Sequence, residues 1–178
     1  LPIKTVQYVS PSVWAWRQGR VHGIKASIDL VLCLFPFEKA FFKKWDVPAA
    51  FVGHPLASQL PLNNDLAEAQ AELGLDPAQK YIALLPGSRR GEIERLGPLV
   101  LDAAKILHQK YPDYTFLIPA INEMRKQQIE NLLAQYPDSL KAHIRLMENT
   151  SSESKIGRQV MNASNIIALA SGLSLIHI

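Results

Sequence analysis

Tyr81-Ile82-Ala83-Leu84-Leu85-Pro86-Gly87-Ser88-Arg89-Arg90-Gly91-Glu92-Ile93-Glu94-Arg95-Leu96 opens as a short apolar run that Pro86 and Gly87 end, the pattern of a buried strand. Beyond a polar, arginine-bearing turn, Ile93, Leu96, Val100, Ala103, Ala104 and Leu107 fall on one side of a helix. Strand, tight loop and helix in that order place the loop at the carboxyl edge of a parallel sheet, where ligands bind in α/β proteins. The loop chemistry suits an anion. Gly87 lets the backbone approach closely, and amides at the start of the helix are expected to point outward with the positive end of the helix dipole. Ser88 adds a hydroxyl, and Arg89 and Arg90 add forked, permanently charged donors. A solvated turn with surface arginines is the alternative, and the loop alone does not choose between them. It has neither the Gly-Lys-Ser/Thr of an ATPase loop nor the spaced glycines of a dinucleotide fold.

Working outward, the same rhythm repeats. On the amino-terminal side, strands are expected at Thr5 to Val9, Ile28 to Leu34 and Ala50 to Val52. A helix over Trp14 to Lys25, weakened by Gly19 and Gly23, and one opened by Pro36 and carried by Phe37 to Trp45 lie between them. Gly53 to Asn64 is irregular and reads as a boundary; a helix over Asp65 to Leu73 follows, capped by Asn64 or Asp65 and closed by Gly74. Pro98 predicts a short first helix or a kink after the central loop. On the carboxyl side come strands at Tyr114 to Ile118, Ala142 to Leu146 and Ile166 to Leu169. The helices there are Glu123 to Gln135, with Met124, Ile129, Leu132 and Leu133 inward, and Ile156 to Ala163. Thr150 to Ser154 is a polar loop, and Ala170-Ser171-Gly172 is a second glycine loop after a strand. Alternation of this kind predicts an α/β fold with parallel sheets and right-handed crossovers, in two similar domains.

The totals set bounds. The chain has 178 residues, 48% hydrophobic and 20% charged, enough apolar material for a real core. Its one cysteine, Cys33, cannot form an internal disulfide, and its neighbours Leu32 and Leu34 mark it as a core residue. The net charge of +3 fits a phosphate-bearing ligand or an anionic membrane face without singling out either. No apolar run is long enough to span a bilayer, and no basic cluster or motif for nucleic acid is found, so no nucleic-acid partner is expected.

Five runs then carry a resemblance: Tyr8-Val9-Ser10-Pro11-Ser12-Val13-Trp14-Ala15-Trp16-Arg17, Leu34-Phe35-Pro36-Phe37-Glu38, Phe51-Val52-Gly53-His54-Pro55, Leu84-Leu85-Pro86-Gly87-Ser88-Arg89 with Glu92, and Ala168-Leu169-Ala170-Ser171-Gly172. In this order and at this spacing the sequence resembles the lipid-A-disaccharide synthase family over nearly its whole length to Gly172. The resemblance implies an inverting glycosyltransferase with two Rossmann-like domains of the B-type fold, both incomplete in this chain. The implied reaction moves 2,3-diacylglucosamine from its UDP carrier to 2,3-diacylglucosamine 1-phosphate, giving lipid A disaccharide 1-phosphate and UDP. The implied location is cytoplasmic, peripheral on the Gram-negative inner membrane.

It also implies roles. Gly87, Ser88, Arg89 and Glu92 would lie at the nucleotide-sugar site, with Ser171 and Gly172 on the diphosphate. Ser10, Ser12, Trp14, Trp16, Arg17 and Gln18 would lie toward the acceptor cleft, with Arg17 meeting the acceptor phosphate. On packing alone, Trp14 and Trp16 would be core residues at spacing two, and His54 a hinge residue. A growing diphosphate charge is well met by fixed amides, a serine and an arginine. The Asp-x-Asp of metal-dependent transferases is absent, so neither metal nor cofactor is expected. The implied domains are residues 1–53 on the acceptor side, a hinge at 54–64, and a nucleotide-sugar domain over 65–178. Residues 173–178 depart from the family pattern and read as a non-native tail, and the general base is expected upstream of Leu1. Two other readings stand beside this one: a UDP-sugar epimerase of the same fold, and a non-catalytic anion- or membrane-binding piece in which the basic, aromatic Phe37 to Trp45 lies at an interface.

Overall fold

The computed structural model describes residues 3–58, 60, 62–149 and 155–170. Two compact units divide between Leu62 and Asn63. Each is an α/β unit built on a wholly parallel sheet.

In the first unit, β1 (Val6–Tyr8), β2 (Leu30–Cys33) and β3 (Ala49–Phe51) pair in chain order. Helices α1 (Val21–Ser27) and α2 (Pro36–Lys43) connect them. Val13, Val21, Val31, Cys33, Phe42 and Val47 form the core, so the cysteine is packed as its neighbours predict. Burial of a side chain such as Phe42 contributes about 1.5–3 kcal/mol. The expected helix from Trp14 is corrected: turns occupy its first part, a 3-10 turn covers Gln18–Arg20, and α1 starts only at Val21. Arg17, at φ 54, adopts the left-handed conformation, which a helix cannot pass through. Segment Phe37 to Trp45 is a helix and turn with one buried face: Phe42 is fully buried, Phe41 and Trp45 pack beside it, and the lysines face outward.

The second unit contains α3 (Leu66–Glu72), β4 (Lys80–Leu85), α4 (Arg90–Lys110), β5 (Tyr114–Ala120), α5 (Glu123–Leu133), α6 (Asp138–Lys141), β6 (Ile144–Glu148), α7 (Ile156–Asn162) and β7 (Ile166–Leu169). The Asp65 carboxylate caps α3 by accepting from the Ala67 and Glu68 amides, while Asn64 instead donates to the Asn162 carbonyl at 2.7 Å. Strand period two explains how one central strand serves two cores. Ile82 and Leu84 point to one face with Ile93, Leu101, Phe116 and Ile118. Tyr81 and Ala83 point to the other with Leu117, Ile156 and Val160.

Three local expectations are corrected here. Of the two outcomes expected at Pro98, the short first helix is corrected: α4 runs through the proline as one element of 21 residues. The turn around the proline is held from outside: Gly97 packs under Leu132, and the Tyr136 hydroxyl lies 3.1 Å from the Pro98 carbonyl and 2.9 Å from Asp102 Oδ1. On the same helix Ala103 faces solvent and Leu101 takes its place in the core. Met124 is 68% exposed, because it lies five positions before Ile129, well off the face that Ile129 and Leu133 bury.

The strand order is β6-β5-β4-β7. Chain order therefore runs outward from β4 in one direction, then reverses to place β7 on its other side. That reversal is a topological switch point, where open α/β sheets bind ligands beyond the carboxyl ends of the strands. Leu85 pairs with Leu169, so Pro86 and Ala170 leave the sheet from neighbouring strands. Ser171 and Gly172, the polar loop at 150–154 and the tail at 173–178 lie outside the described residues.

Candidate functional site

The switch-point loop is organised by one carboxylate. Glu92 occupies the third position of α4, and its Oε2 accepts from the Ser88 amide at 2.9 Å and the Arg89 amide at 3.1 Å. This is the backward half of a capping box. It narrows the expectation of outward-pointing amides: those of Ser88 and Arg89, just before the helix, are spent on Glu92. The two amides, with the Arg89 and Arg95 guanidiniums, hold the Glu92 carboxyl below the usual glutamate range. Gly87 is fixed by the same arrangement. Its φ is +109°, and a Cβ there would stand 2.5 Å from Glu92 Cβ and 2.8 Å from its Oε2. Only glycine meets both conditions.

The two arginines separate. Arg90 is drawn down the helix by Glu94, with Nε donating at 2.7 Å, an i,i+4 pair. Arg89 is 85% exposed and touches Glu92 Oε1 only at 3.4 Å, so its guanidinium remains available above the loop beside the exposed Ser88. Among the described residues of this loop, the Arg89 fork and the Ser88 hydroxyl are side-chain donors exposed at the sheet edge.

The first sheet has its own carboxyl edge. Three of the quoted runs leave it from adjacent strands: Val9 to Arg17 after β1, Leu34 to Glu38 after β2, and Val52 to Pro55 after β3. Val9 stands at φ 70 and Arg17 at φ 54, so strained residues bracket the first loop; a β-branched residue at positive φ costs about 1–3 kcal/mol. Within the loop Ser10 is buried and donates to the Pro11 carbonyl at 3.1 Å. Ser12, Trp16, Arg17 and Gln18 are exposed, and the Arg17 guanidinium lies 4.7 Å over the Trp16 ring, a cation–π contact. The two tryptophans are unlike. Trp16 is 58% exposed, whereas Trp14 is half-buried, edge-on to Phe37 at 4.9 Å, with its indole donating to Glu38 Oε1 at 3.1 Å. Phe35 stacks on Phe37 and meets the His54 ring at 6.3 Å. His54 Nδ1 accepts from the Leu56 amide, which holds the turn after β3.

Glu38 is the residue that sequence reasoning passed over. It repeats in the first unit what Glu92 does in the second, accepting from the Leu34 and Phe35 amides at 3.1 and 2.9 Å. A glutamate three positions after the residue before Pro36 is a legible capping signal; its reach to Trp14 is not, since 24 residues intervene. Cys33 lies nearby, and burial, with the Glu38 charge, pushes its thiol up to about 11.

Two Rossmann-like α/β units, each with its unusual residues at the carboxyl edge of a parallel sheet and one presenting an arginine loop at a switch point, define a protein of the Rossmann-like α/β class. The sequence profile of lipid-A-disaccharide synthetase matches residues 1–174, and the chain belongs to that family. It is 63% identical over 177 residues to the lipid-A-disaccharide synthase of Acinetobacter baylyi, covering 99% of this chain and 45% of that protein. Synthases of the same name from Idiomarina loihiensis and Alcanivorax borkumensis are 48% and 47% identical, over 96% and 98% of this chain and 43% of each relative. The chain thus spans less than half the length of the curated relatives it matches. Their shared name does not favour the epimerase reading. Among the described residues no helix is long and apolar enough to cross a membrane.

Proposed function

We propose that the intact protein containing this chain is a glycosyltransferase. It moves 2,3-diacylglucosamine from its UDP carrier to 2,3-diacylglucosamine 1-phosphate and works at the cytoplasmic face of the inner membrane as a peripheral protein. Residues 65–178 form its nucleotide-sugar side, residues 1–53 its acceptor side, and 54–64 the hinge. The observation that carries this reading is the loop at the β4–β7 switch point, where Arg89 stands exposed and only loosely paired. As the sugar–phosphate bond breaks, negative charge grows on the UDP diphosphate, and a guanidinium already held at that place stabilises it without reorganisation. Ser88 donates alongside it, and the family resemblance assigns Ser171 and Gly172 to the same group. Gly87 and Glu92 keep the loop in shape rather than meeting the phosphates. At the other edge Arg17 meets the acceptor phosphate, with Ser12, Trp16 and Gln18 around it, while Ser10 and Trp14 hold the loop from within. The general base that takes the proton of the attacking hydroxyl is expected outside residues 1–178. Turnover of the intact protein with acylated and non-acylated UDP-glucosamine tests the reading. Transfer of the acylated sugar to the acylated acceptor is expected; turnover of only the non-acylated sugar overturns it.

A further inference from the structure

Glu38 does more than cap a helix. It is only 3% exposed, yet an N-terminal cap needs no burial: Glu92 makes the same two backbone contacts with its side chain 27% exposed. Burying a carboxylate is costly unless donors meet it. Here three do, the Leu34 and Phe35 amides on Oε2 and the Trp14 indole on Oε1. Of these, the indole comes from another strand's loop. That loop leaves β1 through Val9 at φ 70 and reaches the next helix through Arg17 at φ 54. Its backbone bonds are local, Val13 to the Pro11 carbonyl and Ala15 to the Ser12 carbonyl. Burial of Val13 in the core, the edge-on contact of Trp14 with Phe37 and the Trp14–Glu38 bond tie it to the rest of the unit, and of these only the last is a hydrogen bond.

We propose that Glu38 is a positioning residue: clamped by the β2–α2 amides, it fixes the Trp14 indole, and so sets the loop that presents Ser12, Trp16 and Arg17. What the loop meets, an acylated sugar phosphate, rests on the transferase reading above; the tether itself does not. Glu38→Gln turns one acceptor into an NH2 group that must face either the indole N–H or the two amides, donor against donor. Trp14→Phe keeps a ring beside Phe37 and removes only the donor.

In the intact protein, steady-state rates with each substrate varied should show acceptor KM raised on the order of tenfold in either single variant, the loss expected for one hydrogen bond to a charged group. Donor KM and kcat should stay within about twofold, and the double variant should be no worse than either single one, since both break the same contact. An unchanged acceptor KM, a parallel loss in every parameter, or effects that multiply would each overturn the proposal. The Trp14 indole N–H resonance, identified by its loss in Trp14→Phe, reads the tether without any turnover. Glu38→Gln should shift it and speed its hydrogen exchange by on the order of tenfold, and an unmoved resonance sinks the tether. Were Glu38→Gln not to fold, Trp14→Phe would carry the same KM test alone. An intact protein that transfers no sugar refutes the transferase reading, and the indole signal still decides the tether.

Discussion

Replacing Gly87 by alanine tests the architecture of the switch-point loop at a single atom. The new methyl group meets two penalties. At φ +109° an L residue is strained, which costs about 1–3 kcal/mol. Its Cβ would also lie 2.5 Å from Glu92 Cβ, and overpacking of this kind costs about 1–3 kcal/mol. The sum is about 2–6 kcal/mol, or a fall in Tm on the order of 15 °C for a unit of this size. Denaturant or thermal unfolding of the intact protein measures it. The structure also says which second change relieves the strain. The three nearest atoms all belong to Glu92, and the closest is its Cβ. Glu92→Ala keeps that atom while removing the Oε2 and Cγ contacts at 2.8 and 3.3 Å, so Gly87→Ala should cost less in that background than in the wild type but still carry a packing penalty. Glu92→Gly removes it, and the cost should fall to the conformational part alone. A loss below about 1 kcal/mol for Gly87→Ala, or the same loss in the Gly and Ala backgrounds, would refute the packing described here.

Other expectations concern charge and reactivity. Arg89→Ala in the intact protein should lower transfer on the order of a hundredfold, whereas Arg90→Ala, which removes a side chain already paired with Glu94, should cost far less; equal effects in rate assays would contradict the separation of the two. Because the Glu92 carboxyl is held below its usual range, its contribution to stability is present above the unfolded-state value and is lost as pH falls through the lower folded one. Acid titration of stability should therefore show wild type falling more steeply than Glu92→Gln below about pH 4.5, and parallel curves would refute this. With its thiol pushed up to about 11 and no exposed surface, Cys33 should resist alkylation at pH 8 until the protein unfolds; stoichiometric labelling of the native protein within minutes would contradict its place in the core.

Much of the fold was legible because it is written in local periodicity. The run Tyr81 to Leu85 feeds two cores by strict alternation, and Asp65, Pro36 and Gly74 punctuate helices as their chemistry requires. What periodicity could not carry is pairing between distant segments. That β7 lies beside β4, and so makes the switch point, is a property of strand order rather than of any window of sequence. Pro98 remains inside one helix because Leu132 and Tyr136, from the region of α5, hold the turn around it. Trp14 and Trp16 read as equivalent at spacing two, yet a left-handed Arg17 and a glutamate 24 residues away send one inward and leave the other outside. The loop amides looked free because a sequence does not show that Glu92 folds back onto them.

Calorimetry with UDP on the intact protein tests the central claim most directly, that the switch-point loop seats a diphosphate through Arg89. Saturable binding weakened on the order of tenfold by Arg89→Ala, and little changed by Arg90→Ala, is the predicted result. No heat with UDP, or equal affinity in wild type and Arg89→Ala, would contradict it.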